Sequence, residues 1–237
     1  MSTASFAVAT YNVHRCVGRD GKYDPQRIAD VVRELDADLV GVQEIDSSEA
    51  SDGGLGQLAH VARLAGFEAV PGPALMHHTG GHGNALLSRW PVTSVRRFEI
   101  AVPRREPRAV LDTEVDVHGH PARVVVTHFG LLGRERRLQA KMLLRILAEH
   151  AVEPTVIMGD FNEWMPRGRA LRHMQRELGA SAPLRTFPAR MPVFALDRIW
   201  VRPYRSLAAI AVHRSALAYV ASDHLPLRAV VTARATL

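Results

Sequence analysis

The sequence predicts an α/β (α+β) chain built as a four-layer sandwich, with two mixed β-sheets packed face to face and helices on the outside. Three observations predict it. Short β-favouring segments recur along the 237 residues, with only a few helical segments between them. The first two of these strand segments flank a helix, as in a β–α–β unit. Hydrophobic residues make up 47% and aromatics only 6%, so the chain can bury a large core of mostly Val, Leu, Ile and Ala.

In order along the chain, Phe6–Val13 alternates and reads as a strand. Asp24 precedes Pro25, an N-cap with proline at the first helical position, and Ile28, Val31, Val32 and Leu35 follow at helical spacing. Asp38–Gln43 is a buried strand ending at Glu44. The unit therefore brings Asn12 and Glu44 to neighbouring strand ends, where ligands collect in α/β sheets. Gly56–Ala65 reads as a second helix, and the Gly-, Pro- and His-rich Pro71–Gly83 as a loop. Strands are expected at Asn84–Ser88, Val92–Ile100, Ala109–Val117 and Arg123–Thr127, then a long helix at Arg134–His150. Thr155–Met158, Asp197–Val201, Ala208–Val212 and Leu227–Val231 complete the strands. No repeat or linker interrupts the chain, and one domain spanning 1–237 is expected.

Composition narrows the setting. The net charge is +6, almost all of its cations arginine, which favours a polyanionic partner such as nucleic acid or acidic headgroups unless the charge is scattered. Cys16 is the only cysteine, so no internal disulfide forms. Met1–Val8 lacks the features of a signal peptide, and no apolar run approaches the ~18 residues of a membrane span. A cytoplasmic monomer is the expectation.

Four tracts carry chemistry. In Gly159-Asp160-Phe161-Asn162 a strand runs into a glycine turn, and in extended geometry Asp160 and Asn162 would share a face. One can accept from a water while the other donates to a phosphoryl oxygen; a hairpin turn with an Asx cap is the bland alternative. In Ser222-Asp223-His224-Leu225-Pro226, His224 suits a general base, with Asp223 or Asp197 available to its second ring nitrogen. Glu44 suits a hard cation such as Mg²⁺, or Mn²⁺, which takes carboxylate oxygens, and Asn12 can bond the same carboxylate or the water shell of the ion. His128, after an apolar strand, is a candidate proton donor or phosphoryl stabiliser, or else a satisfied core histidine. Asn84 and Arg108 are candidates to line the substrate cleft, since arginine suits bidentate phosphate contact. His77, His78 and His82 lack the cysteines and spacing of a zinc site and read as a loop beside the substrate.

Taken in order, Tyr11-Asn12-Val13-His14, Val42-Gln43-Glu44, Gly83-Asn84, Thr127-His128, Gly159-Asp160-Phe161-Asn162, Leu196-Asp197-Arg198-Ile199 and Ser222-Asp223-His224 resemble the endonuclease/exonuclease/phosphatase superfamily. It includes abasic-site endonucleases, DNase I, neutral sphingomyelinases, inositol polyphosphate 5-phosphatases and deadenylases. The resemblance implies a DNase I-like fold and a metal-dependent phosphoesterase. By it, Glu44 ligates the ion beside Asn12, Asp160 orients the attacking water, and Asn162 contacts the phosphate. It also pairs His224 with Asp197, lets Asp223 reach the metal region, and sets His128 on the scissile phosphate, as in the sphingomyelinase-like and phosphatase-like branches. His14 and the Thr127-His128 pattern depart from the abasic-site branch. The expected substrate is a phosphodiester, of nucleic acid or of a lipid or small molecule. A phosphomonoesterase and an inactive phosphate-binding module are the alternatives.

Overall fold

The computed structural model describes residues 3–48, 56–74 and 82–234. The first sheet is built around β1 (Thr3–Asn12) and β2 (Leu39–Asp46), which run parallel because α1 (Pro25–Glu34) carries the chain back between them. The predicted cap is present: the Asp24 carboxylate accepts the backbone N–H of Arg27, with Pro25 in the first turn, where its missing N–H costs nothing. Then come α2 (Gln57–Ala65), β3 (Glu68–Pro73) and β4 (His82–Ser88). The second sheet holds β5 (Val92–Glu99), β6 (Ala109–Val117), β7 (His120–His128), β8 (Thr155–Asp160) and β9 (Asp197–Arg202). Its helices are α3 (Gly133–Glu149) and α4 (Arg169–Leu178). The chain returns to the first sheet with β10 (Leu207–Val212), the short α5 (Ala218–Ala221) and β11 (Leu227–Arg234).

The sheet orders are β10-β11-β1-β2-β4-β3 and β5-β6-β7-β8-β9. Each sheet is mixed: β1–β2 and β7–β8 are parallel and every other pairing is antiparallel. Strand alternation divides the core into three slabs. Phe6 and Val8 of β1 and Val156 and Met158 of β8 face the space between the sheets. Ala7, Ala9 and Tyr11 face α1 and α2, while Ile157 and Val125 face α3 and α4. Burying each such aliphatic side chain contributes about 1.5–3 kcal/mol. The sheets approach so closely that a Cβ on Gly41 would meet Val126 Cγ2 at 2.9 Å.

The structure departs from the sequence reading in three elements. β3 occupies part of the tract read as a loop; its Pro71 and Pro73 fit because it is the edge strand of its sheet and pairs only with β4. His77 and His78 lie outside the described residues. Helix α4 was not anticipated, although Ala170, Leu171, Met174 and Leu178 repeat at helical spacing and are buried. The short α5 also went unread, because four residues give no period to detect. Among the described residues, no helix is long and apolar enough to cross a membrane.

Candidate active site

The site forms where strand ends of both sheets meet. Parallel pairing of β7 with β8 sets His128 opposite Asp160, and antiparallel pairing of β8 with β9 sets Asp160 opposite Asp197. Three consecutive strands thus deliver three polar groups in one row. His128 and Asp160 are each anchored by the residue that follows. Phe129 and Phe161 turn away into the outer core, where Phe129 meets Phe161 edge-on at 4.9 Å and Phe161 meets Trp200 at 4.9 Å. Phe129 N donates to Asp160 O and Phe161 N to Leu196 O, each at 2.9 Å. Gly159 is obligatory here: its φ is 152°, and a Cβ would lie 1.8 Å from Thr127 O.

Asn162 reaches the site by a different route from the one its spacing suggests. The strand ends at Asp160, and Asn162 is left-handed at φ 47°. Its N–H donates to Asp160 Oδ1 at 2.8 Å, an Asx turn that replaces the expected extended geometry. The turn swings the Asn162 amide back onto Phe129 O (2.9 Å) and His128 Nε2 (3.0 Å). The predicted end of β2 at Glu44 is likewise revised. The strand continues to Asp46, and Gln43 and Glu44 together oppose Asn84 in a β-bulge. The bulge, with Glu44 at φ 57°, aims the carboxylate into the site.

Asn12 joins the two sheets chemically. Its Nδ2 donates to Glu44 Oε1 at 3.0 Å and to Asp160 Oδ2 at 3.1 Å, while its Oδ1 accepts from His14 N at 3.1 Å. The amide nitrogen, not the oxygen, therefore faces the carboxylates. His14, Arg15 and Cys16 form a turn with φ of 44°, 56° and 59°, which presents Arg15 to the cleft. On the far side, His224 Nδ1 contacts Asp197 Oδ2 at 2.8 Å, and Thr186 Oγ1 donates to the same oxygen at 2.5 Å. His224 Nε2 lies 3.7 Å and His128 Nε2 3.5 Å from Asp160 Oδ2. Asp160 thus stands between two imidazoles.

Those imidazoles are electrostatic opposites. Burial disfavours the charged form of His224, but the carboxylates of Asp197 and Asp160 outweigh it and hold the ring up at about 10. His128 is pushed down to about 3, first by burial, with Arg108 and His224 adding to it against Asp160. Near neutral pH His224 is an imidazolium and His128 is neutral. Asp160 is raised above the ordinary carboxylate range, chiefly by burial. The Asn162 amide lies 3.0 Å from His128 Nε2 and Arg108 Nη1 lies 3.4 Å from Nδ1; both are N–H donors, and a neutral ring can accept from only one of them. One of the two contacts therefore sets donor against donor, and Arg108 Nε close by is buried with no partner among the described residues.

The cleft holds about 280 Å³ and is lined by Glu44, Arg108, His128, Asp160, Asn162, Asp223 and His224, among others. Asn12 and Asp197 lie just behind that lining. Asp223 is half-buried, 4.0 Å from His14 Nδ1. Asn84 is also behind the lining, its Nδ2 donating to Ala109 O at 2.8 Å and its Oδ1 buried without a partner among the described residues. Sequence reasoning missed Arg15, Leu131, Trp164 and Phe187. Trp164 follows the Asp160–Asn162 tract closely, which is the signal that marks it; Phe187 carries no such mark, yet its ring lies 4.8 Å from that of His224.

Two groupings can hold a cation. Asp160, Asp197 and His224 offer ligand atoms within 4.8 Å of one another. There, however, His224 Nδ1 is already bonded to Asp197 and the ring carries positive charge. Glu44 with Asp160 fits better: two carboxylates held apart by one amide, with Glu44 Oε1 bonded by Asn12 and His128 Nε2 only 4.0 Å from it.

The fold is a two-sheet sandwich with this polar cluster at its rim. Residues 9–224 match the Endonuclease/Exonuclease/phosphatase family, and the chain belongs to that family. It is 29% identical to the Escherichia coli K12 protein YbhP over 242 residues, covering 95% of each chain. A family protein from Bacteroides thetaiotaomicron superposes with a TM-score of 0.79 at 19% identity, over 98% of this chain and 99% of that one. The mannosyl-6-phosphatase of Bacteroides thetaiotaomicron VPI-5482 gives a TM-score of 0.76 at 18% identity, over 97% and 100%. Both structures share the fold.

Proposed function

We propose that residues 1–237 form one catalytic domain that hydrolyses a phosphodiester with a divalent cation, Mg²⁺ or Mn²⁺, by in-line attack of an activated water. The observation that carries this reading is the contrast between the two histidines on either side of Asp160. A phosphoryl centre needs fixed positive charge, hydrogen-bond donors for its oxygens and a base for water. His224 supplies the charge through Nε2–H, held in place by Asp197 and Thr186. With the His128 proton on Nδ1, that ring and Arg108 are facing donors that suit a phosphoryl oxygen accepting from both. In that tautomer His128 Nε2 accepts from the Asn162 amide. Asp160, with its basicity raised by burial, takes the proton from water. Asn12 fixes the separation of Asp160 from Glu44. A cation on Glu44, with Asp223 on the cleft wall nearby, would supply Lewis-acid neutralisation of the phosphoryl charge.

The test is hydrolysis of bis-p-nitrophenyl phosphate with Mg²⁺ or Mn²⁺, with and without EDTA. Metal-dependent release that EDTA abolishes is expected. Asp160→Asn and His224→Gln should each lower kcat by more than the about 10²–10⁴-fold ordinary for acid–base assistance, since both also hold charge and geometry. No metal-dependent release, or two variants with wild-type rates, would overturn the proposal. A panel of DNA, RNA and lipid phosphodiesters then identifies the substrate class.

A further inference from the structure

Six of the eleven exposed large hydrophobic side chains among the described residues gather in one region, whereas Tyr23, Val95, Leu138, Tyr204 and Val220 lie elsewhere in the chain. Among the described residues, Leu131 (61% exposed), Leu132, Met165 (65%), Met191 (70%), Val193 and Phe194 all lie in three connections: β7–α3, β8–α4 and α4–β9. These connections are fastened to one another. Arg136 donates to Leu131 O and, at 3.1 Å, to Glu163 Oε1; Trp164 packs edge-on against Phe187 at 5.5 Å and Phe194 at 4.9 Å. Leu131, Trp164 and Phe187 line the cleft itself, so the apolar tips form its rim. The exposed charges in these connections and in the first two residues of the helices they lead into are all arginines: Arg134, Arg167, Arg169, Arg185 and Arg190. The acids there, Glu163 and, in the first turn of α3, Glu135, are both buried, Glu163 against Arg136. Arg104 and Arg105 extend the basic face from the far side of Leu131 and Leu132, where the exposed Glu106 is paired to Arg108 at 2.8 Å.

We infer that this rim docks on an anionic lipid bilayer, with the cleft mouth held against the headgroups. An interface that combines protruding Leu and Met with arginines, its exposed acid Glu106 paired to Arg108, matches both halves of such a surface. The apolar tips enter the acyl boundary while the guanidiniums meet the headgroups. A nucleic acid would satisfy the arginines but leave the Leu131, Met165 and Met191 tips without a partner. Docking in this orientation would make the substrate a lipid phosphodiester; that consequence rests on the phosphoesterase reading, whereas the docking does not.

The experiment is flotation of the full chain with phosphatidylcholine vesicles, with and without about a third phosphatidylglycerol, in EDTA so that no turnover intervenes. Binding to the anionic vesicles, weak on pure phosphatidylcholine and weakened by salt, is expected. Met165→Ser/Met191→Ser should lower vesicle affinity about tenfold or more, and Arg167→Gln/Arg190→Gln likewise, both melting as the wild type does. The absence of binding, or binding unchanged by the methionine pair, overturns the inference. So does wild-type binding that a single-stranded oligonucleotide competes away while the methionine pair has no effect, which would make the face a nucleic-acid surface. A protein that floats with vesicles yet hydrolyses no phosphodiester refutes the catalytic reading and leaves the docking intact.

Discussion

The charge on His224 is the quantity most exposed to experiment. Raising an imidazole from its ordinary 6.5 to about 10 corresponds to about 5 kcal/mol in favour of the charged ring, at about 1.4 kcal/mol per pH unit. Burial alone would move the ring the other way, so the rise depends on nearby carboxylates, Asp197 first. Asp197→Asn keeps an acceptor for His224 Nδ1 and Thr186 Oγ1 while removing the charge. In the metal-free protein, NMR titration of the histidine ring protons should show His224 charged through pH 9. In Asp197→Asn its midpoint should fall by two units or more, with Asp160 and Asp223 sustaining what remains. The sign for stability follows. A folded-state value above the unfolded one contributes stability fully below pH 6.5 and loses it as pH rises toward about 10. Wild-type unfolding free energy should therefore fall by up to about 1.4 kcal/mol per pH unit across that window, and His224→Gln should flatten the slope. A native ring titrating near 6.5, or one indifferent to Asp197→Asn, would refute the reasoning.

Other perturbations test the scaffold. Arg123 is 1% exposed, bonds Asp112 through two nitrogens at 2.9 and 2.7 Å, and donates to the last carbonyls of α3, including Ile146 O at 3.0 Å. Arg123→Met strands the Asp112 charge and that helix end, so urea unfolding should show a loss of about 3–5 kcal/mol; a loss under about 1 would mean Arg96, 3.2 Å from Asp112, suffices. Gly159→Ala forces a Cβ into Thr127 O and should abolish activity and depress melting, because β7 and β8 cannot separate without moving His128 from Asp160. Asp24→Ala should cost about 1 kcal/mol in chemical denaturation without changing kcat, since it removes only the cap of α1.

How far the sequence reveals this molecule depends on whether a feature is written locally. The β1–α1–β2 unit was legible to its cap because Asp24, Pro25 and the apolar spacing are local signals. β3 was not, since its prolines and glycine disguise an edge strand whose Gly72 is demanded by a contact with Leu111 in the opposite sheet: a Cβ there would lie 2.7 Å from Leu111 Cβ. Within the site, the polar residues themselves were legible, but the devices that aim them were not. A bulge, not a strand end, orients Glu44, and an Asx turn, not a shared strand face, returns Asn162. The Thr186 contact to Asp197 is invisible in sequence because it is created only by the fold of the segment before β9.

The backbone shows where the fold concentrates its strain. Eight non-glycine residues among those described have positive φ; three of them, Arg15, Glu44 and Asn162, line this one cleft, and His14 and Cys16 flank Arg15 in its turn. Each such residue costs on the order of 1–3 kcal/mol and persists only where its surroundings over-determine it. Here those surroundings can be named. His14 N is held by Asn12 Oδ1, Asn162 N by Asp160 Oδ1, and Glu44 by the Asn12 amide. The hydrogen bonds that maintain the strained turns are therefore the same ones that fix Asn12 and Asp160. Relaxing any turn would release a polar group at the centre of the cluster. Strain and site geometry are then one mechanical system, tied through Asn12, the side chain that bridges carboxylates from both sheets.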